Sequence, residues 1–283
     1  MKNYIKKTFF TNTLFENFLI ILCRLHYFFS KLFPSNTHYP KYTYRTVSRN
    51  GVKYHLDISD YQEYLIYFDL KEDSSEPFLE YAPLKEGVFI DIGANIGQTS
   101  MNLSKKLGKI AHKIYAFEPI PSTYEKLKYN ILLNNFSSIE IFNIALGNEE
   151  DIMKMEMSCS TNSGGFKMTP KNSIIKNEWV QVLQKKLDDF YKLDNPIQFI
   201  KIDVEGYEIE VLKGAEQIIK KYTPVMVIEL NDLNQKRQNS SAKELVSYVK
   251  ELGYKNIINL KTMEVIDFPK LDNCSMDILC KLS

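Results

Sequence analysis

The chain has 283 residues, enough for one large domain with an appendage, and its 36 Lys and Arg nearly balance 35 Asp and Glu. That balance gives no basic footprint for a phosphate backbone, so a nucleic-acid substrate is not expected. Four scattered cysteines (Cys23, Cys159, Cys274, Cys280) and four dispersed histidines (His26, His38, His55, His112) lack the short spacings of a zinc site, a redox pair or a catalytic triad. No metal is expected, and the thiols read as those of a reducing, cytoplasmic compartment.

Lys2, Lys6 and Lys7 precede a stretch rich in Leu, Ile and Phe from Leu14 to Phe33. Its uninterrupted apolar run, Phe18 to Cys23 between Glu16 and Arg24, is six residues. That falls far short of the roughly 20 needed to cross a bilayer, and no small-residue cleavage site follows. At 100° per residue Leu14, Phe18, Ile21, Leu22, Leu25, Phe29 and Leu32 share one face, while Asn12, Thr13, Glu16, Asn17, Arg24 and Lys31 gather on the other. Ile20 and Tyr27 are exceptions, and Pro34 stops the helix. Two readings fit residues 12–33: a helix packing on its own domain or on a second copy, and a helix lying peripherally in a membrane interface.

Residues 35–86 read as a lead-in or cap. Tyr42–Val47 and Val52–Leu56 flank the turn pair Asn50–Gly51 as a hairpin, and Leu65–Phe68 is a further β-prone stretch. From Gly87 to the C-terminus the pattern becomes regular. Apolar runs at Val88–Ile92, Ile114–Phe117, Ile139–Ile144, Phe199–Val204 and Val225–Glu229 alternate with helical periods at Thr99–Leu107, Tyr124–Leu133, Glu208–Lys220 and Ala242–Leu252. This alternation predicts an α/β fold: a doubly wound, mostly parallel sheet with right-handed crossovers. Asn256–Asn259 and Met276–Leu279 are further strands able to close its edge. Asp151–Met157, with Met153, Met155 and Met157 in alternation, reads as an edge strand rather than a methionine metal box, and Asn162–Gly165 as a loop able to cover a site. Three regions result: 1–34, a helix; 35–86, a lead-in; 87–283, the main domain.

The first strand of that domain enters the turn Asp91-Ile92-Gly93-Ala94-Asn95-Ile96-Gly97, which a helix follows. In a doubly wound sheet this turn lies at the switch point where ligands bind, and free N–H groups at a helix start attract anions. Gly93 and Gly97 are expected to let a ligand approach the backbone. Two glycines separated by three residues do not make the dinucleotide fingerprint, which weakens nicotinamide and flavin readings. About 20 residues on, Glu118 ends the second strand, where a carboxylate accepts hydrogen bonds from both hydroxyls of a ribose. Asp91, the glycine turn and Glu118 together read as a nucleoside site without a pyrophosphate grip.

The segments Phe89–Gly97 (FIDIGANIG), Ala116–Pro121 (AFEPIP) with Leu127 and Asn130, Asn143–Gly147 (NIALG), Phe199–Glu208 (FIKIDVEGYE), Val211–Ala215 (VLKGA) and Glu229 resemble those of the FkbM family of class I methyltransferases. The resemblance spans roughly residues 50 to 230. It implies a Rossmann-like seven-stranded sheet, S-adenosyl-L-methionine as cofactor, and O-methylation of a hydroxyl on a sugar, glycan or secondary metabolite. It also implies that Gly93 and Gly97 flank the methionine moiety, Glu118 holds the ribose, and Ala145 and Leu146 sit near adenine, with Asp91 and Asn95 among the cofactor-binding residues. Base-amine methylation is disfavoured, since the fourth strand ends in Asp203-Val204-Glu205-Gly206-Tyr207 rather than an Asn or Asp followed by two prolines and an aromatic. Asp203 is the first candidate for general base and Glu205 the second, with Lys201 positioned to hold Asp203 or an acceptor oxygen. The competing readings are a catalytically silent nucleoside-binding scaffold that docks through its N-terminal helix, and a dehydrogenase with an unusual glycine turn.

Overall fold

The computed structural model describes residues 12–25, 33–70, 77–157, 166–169, 178–191 and 195–282, which fall into two compact units divided between residues 70 and 77. The expected loop Asn162–Gly165 lies outside the described residues.

The first unit contains helix α1 (Thr13–Leu25), strands β1 (Tyr44–Arg49) and β2 (Val52–Asp57), and helix α2 (Tyr61–Phe68). Asn12 Oδ1 accepts the Leu14 N–H at 2.9 Å and caps α1. The expected hairpin is present: β1 and β2 pair antiparallel down to Arg49 opposite Val52, and Asn50 and Gly51 both adopt positive φ. That is the two-residue turn an Asn-Gly pair favours. Leu65–Phe68, expected as strand, instead ends α2. Asp60 caps this helix through the N–H groups of Gln62 and Glu63, so a strong start signal overrides the β-prone side chains that follow.

Helix α1 corrects the sequence reading more sharply. Its polar-side residue Glu16 is fully buried with Leu19 and Ile20, whereas Leu14, Phe18 and Ile21 are 80%, 53% and 57% exposed. Arg45 explains the rotation. Its Nε and Nη2 donate to the Glu16 carboxylate at 3.0 and 3.3 Å, and the Tyr67 hydroxyl donates to the same group at 3.1 Å. A buried carboxylate held by three donors sets the packed face, and the apolar stripe is turned out.

The second unit is built on a seven-stranded sheet. In chain order its parts are β3 (Gly87–Ile92), α3 (Gln98–Leu107), β4 (Ala111–Phe117), α4 (Pro121–Asn134), β5 (Ile139–Phe142), the short strands β6 (Ala145–Leu146), β7 (Asp151–Met157), β8 (Phe166–Met168) and β9 (Trp179–Lys185), α5 (Leu187–Phe190), β10 (Ile197–Ile202), α6 (Glu208–Lys213), α7 (Glu216–Tyr222), β11 (Val225–Asn231), α8 (Asp232–Arg237), α9 (Ala242–Glu251), β12 (Asn256–Asn259) and β13 (Ser275–Lys281). The sheet order is β12-β13-β11-β10-β3-β4-β5, with β13 the antiparallel member. The order reverses at β3, every residue of which is buried, so the expected doubly wound, Rossmann-like architecture is present with seven strands.

Three expectations on these elements are corrected. The third strand ends at Phe142, because Asn143 turns back and its Nδ2 donates to the carbonyls of Glu118 and Pro119 at 2.8 and 2.9 Å. Glu208–Lys220 is two short helices parted at Gly214–Ala215. Asp151–Met157 lies between β9 and β8 in a separate four-stranded sheet of order β6-β9-β7-β8, not at an edge. Met153, Met155 and Met168 pack there with Ile120, Ala145 and Val182 in a satellite core. Strand β9 and helix α8 have no counterpart in the sequence reading. The first alternates weakly between Gln, Lys and apolar residues, and the second is only six residues long.

Candidate active site

The carboxyl ends of β3, β4, β10 and β11 carry most of the candidate residues, because parallel strands on either side of the reversal end together. The β3 turn is tightly strapped. Gly93 and Ala94 N–H groups both donate to the Phe117 carbonyl at the end of β4, at 3.0 and 2.9 Å, and the Asp203 N–H donates to the Ile92 carbonyl at 3.0 Å. Gly93 has φ +79°, and a Cβ there would lie 1.8 Å from the Asp203 carbonyl oxygen. Gly97 has φ +91°, and its Cβ would lie 2.5 Å from a Leu127 methyl. Both glycines are therefore required by backbone conformation and by packing against β10 and α4. The sequence argument that they clear room for a ligand is corrected to this extent: the space beside them is filled by the protein itself.

Glu118 is buried, and its two oxygens each take one backbone donor, Asn95 N–H at 2.9 Å and Ile120 N–H at 2.9 Å. Burial pushes its carboxyl up to about 7 against the opposing pull of those N–H groups and of Lys201. A carboxylate has about four acceptor positions, so two remain for ligand hydroxyls. Two further buried acceptors of the turn lack a hydrogen-bond donor, Asp91 Oδ1 and Asn95 Oδ1. Asn95 itself is left-handed at φ +49°. A ligand carrying a ribose diol and an amino group fits this set of acceptors. Ala145 and Leu146 are buried in β6, whose satellite core includes Ile120, two residues past Glu118.

Asp91, Lys201 and Asp203 form the second cluster. Asp91 is fully buried and accepts the Ser100 hydroxyl at 2.6 Å. Lys201 Nζ lies 3.6 Å from Asp91 Oδ1 and 3.3 Å from Asp203 Oδ2, and donates to the Gly93 carbonyl at 3.2 Å. The lysine is nearly buried, while the Asp203 side chain is 42% exposed. One cation thus ties the glycine turn to two carboxylates, one of them open to solvent.

Glu205 is placed differently. Its Oε2 is 3.1 Å from Lys167 Nζ and accepts Asn234 Nδ2 at 2.8 Å, which ties the loop after β10 to β8 and α8. Its backbone has φ +56°. Glu208, buried at the start of α6, accepts the N–H groups of Val204 and Gly206 and a Gln235 amide, and burial pushes it up to about 7.

Glu229 was noticed in the sequence without a role, although a lone acid in the apolar run Val225–Leu230 is itself a signal. It pairs directly opposite Asp277 across β11 and β13, and its neighbour Ile228 pairs with Ile202, the residue before Asp203. Burial, then the charges of Asp203, Glu208, Glu205 and Asp277, push Glu229 up to about 10. Its Oε2 has no hydrogen-bond partner. A carboxyl whose folded value exceeds the unfolded one is stabilising below the unfolded value, and that contribution is lost as pH rises through the folded value. Glu229→Gln is therefore expected to raise stability by about 1–3 kcal/mol at pH 8 and to change little at pH 4. Denaturant melts at both values check this; equal effects at the two would remove the titration as the cause.

Among the described residues no group of three or more His, Cys, Asp and Glu is placed to hold a metal ion, and no helix is long and apolar enough to cross a membrane.

A family model described as "Methyltransferase FkbM domain" matches residues 91–255. A protein called "Methyltransferase 1" from Beauveria bassiana is 28% identical over 186 residues, covering 59% of this chain and 74% of that protein. "Hexuronic acid methyltransferase AglP" of Haloferax volcanii is 28% identical over 144 residues, covering 50% of this chain and 56% of that one. A solved structure described as methyltransferase FkbM from Methylobacillus flagellatus aligns with TM-score 0.45 at 18% identity, over 70% of this chain and 44% of that chain.

Proposed function

The chain belongs to the FkbM methyltransferase family, and from that premise we propose that it transfers a methyl group from S-adenosyl-L-methionine to a hydroxyl of a sugar, glycan or small metabolite. The observation that carries the reading is the side-by-side placement of the two clusters at the switch point. One is an acceptor set for a ribose and an amino group (Glu118, Asp91, Asn95), and the other a solvent-facing carboxylate held by a lysine (Asp203, Lys201). Hexuronic acid, the substrate named for the Haloferax volcanii relative, is of the same hydroxyl-bearing class.

Glu118 would hold the ribose hydroxyls with its two remaining acceptor positions, Asp91 and Asn95 would meet the amino group of the methionine moiety, and Ala145 and Leu146 would border the adenine. The bound cofactor supplies an electrophilic methyl on a positively charged sulfur. The protein's task is then alignment and proton removal. Asp203 would take the acceptor's hydroxyl proton onto a carboxylate oxygen as the acceptor oxygen receives the methyl group, whose bonding pair the sulfonium would keep. Lys201 keeps Asp203 oriented, a role that its fixed contact with the Gly93 carbonyl suits.

Calorimetry with S-adenosylmethionine tests the donor, and a donor-labelled transfer screen against glycans, lipids and small metabolites tests the acceptor. Glu118→Ala is expected to weaken donor binding by about 1.5–3 kcal/mol, the range for hydrogen bonds to a charged group. Wild-type affinity should fall as pH drops below about 7, because the protonated carboxyl loses acceptor capacity. Since Glu118 also holds the Asn95 and Ile120 N–H groups, a ligand-free melt accompanies the titration; unchanged affinity of the folded variant would remove the ribose role.

A further inference from the structure

We propose that helix α1 is a peripheral membrane anchor, laying its outward stripe of Leu14, Phe18 and Ile21 into the interface of an anionic bilayer. These residues occupy positions i, i+4 and i+7, one side of a helix, and are 80%, 53% and 57% exposed. The opposite side is committed to the first unit through buried Leu19 and Ile20 and the Glu16–Arg45 pair, so the helix cannot turn its apolar stripe inward without breaking a buried ion pair. A stripe of large apolar side chains held in water by a polar lock marks a contact surface.

Charge decides the occupant. Residues 1–34 carry five basic groups, Lys2, Lys6, Lys7, Arg24 and Lys31, and one acid, Glu16. That acid is withdrawn into its pair with Arg45, so the remaining formal charges of the segment are all positive. A second copy carries the same positive segment, whereas an anionic membrane surface is of opposite charge. The 13 residues of α1 are too few to span a bilayer but suffice for a helix lying in the headgroup region.

Flotation of the full-length protein with vesicles of phosphatidylcholine alone and of phosphatidylcholine with 30% phosphatidylglycerol (a composition of roughly one anionic lipid in three) is the test. Sedimentation velocity runs in parallel. Strong flotation is expected only with the anionic vesicles, and it should weaken as salt rises. Leu14→Ser, Phe18→Ser and Ile21→Ser combined should reduce partitioning at least about tenfold, since each removes apolar area from the interface. The replaced side chains are exposed, so the melt should be preserved. Lys2→Gln, Lys6→Gln and Lys7→Gln, which leave the helix itself intact, should weaken anionic binding several-fold. Absence of binding to anionic vesicles overturns the proposal, as does binding that both variants leave unchanged. So does a wild-type oligomer that the triple serine variant dissolves without any vesicle binding, which would assign the stripe to a second copy. Donor affinity by calorimetry is expected to be the same in every variant, so failure here is distinguishable from failure of the methyl-transfer reading.

Discussion

Asp203→Asn is expected to lower turnover about 10²–10⁴-fold while leaving S-adenosylmethionine affinity near wild type. A sugar hydroxyl is a poor nucleophile until its proton is leaving, and the amide keeps the shape of the carboxylate without its basicity. The contrast with Glu205 sharpens the expectation. The Glu205 carboxylate is engaged by Lys167 and Asn234, so Glu205→Gln is expected to cost stability through those contacts and to spare turnover of the folded protein. Asp203 has Lys201 on one side and solvent on the other, the arrangement a base needs to reach an incoming hydroxyl. Steady-state rates on the identified acceptor, with donor affinity from calorimetry, decide the matter. If Asp203→Asn keeps near-normal turnover, the Asp91–Lys201–Asp203 cluster is a structural brace and the base lies elsewhere.

Gly93→Ala is expected to destabilise the second unit by about 3 kcal/mol or more, enough to remove a large part of an ordinary domain's stability. An L-residue at φ +79° costs about 1–2 kcal/mol. The added Cβ, placed 1.8 Å from the Asp203 carbonyl, requires a backbone shift at the end of β10 that adds about 1–3 kcal/mol. Gly108 supplies the control. It also has positive φ, +53°, with ψ −121° outside the left-handed helical well, but nothing lies within 4 Å of its Cβ position, so Gly108→Ala should show a conformational cost alone, about 1–3 kcal/mol. Chemical denaturation of the two variants separates the contributions; equal losses would mean that the β3–β10 contact yields freely. Because the same carbonyl belongs to Asp203, a folded fraction of Gly93→Ala should also lose turnover.

The site was legible where chemistry and spacing coincide. The run Asp91 to Gly97, Glu118 about 20 residues later and the charged end of the fourth strand all follow from chain order, because a doubly wound sheet brings the carboxyl ends of β3, β4 and β10 together whatever the helices between them do. The contribution of Glu229 was not legible. Its importance comes from pairing opposite Asp277, 48 positions along the chain and on an antiparallel strand whose register no local pattern specifies. The satellite sheet was missed for a related reason: β6 has two residues and β8 three, too short to show a period, and they are stabilised by partners rather than by propensity.

Periodicity and motif order by themselves determined the parallel α/β sheet, its reversal at β3 and the residues gathered at the crevice, since these depend on short-range patterns and on a topology with few alternatives. Tertiary structure alone decided which partners each polar group takes. It turned the two glycines from ligand clearances into packing requirements, assigned Glu205 to Lys167 and Asn234, and left Asp203 open beside Lys201. It also decided which side of α1 faces water. Amphipathicity ranks side chains by their average preference, which would bury Leu14, Phe18 and Ile21. The three donors around Glu16 outweigh that average, because an ionised carboxylate taken out of water must keep its partners while an apolar side chain left in water gives up only its transfer free energy.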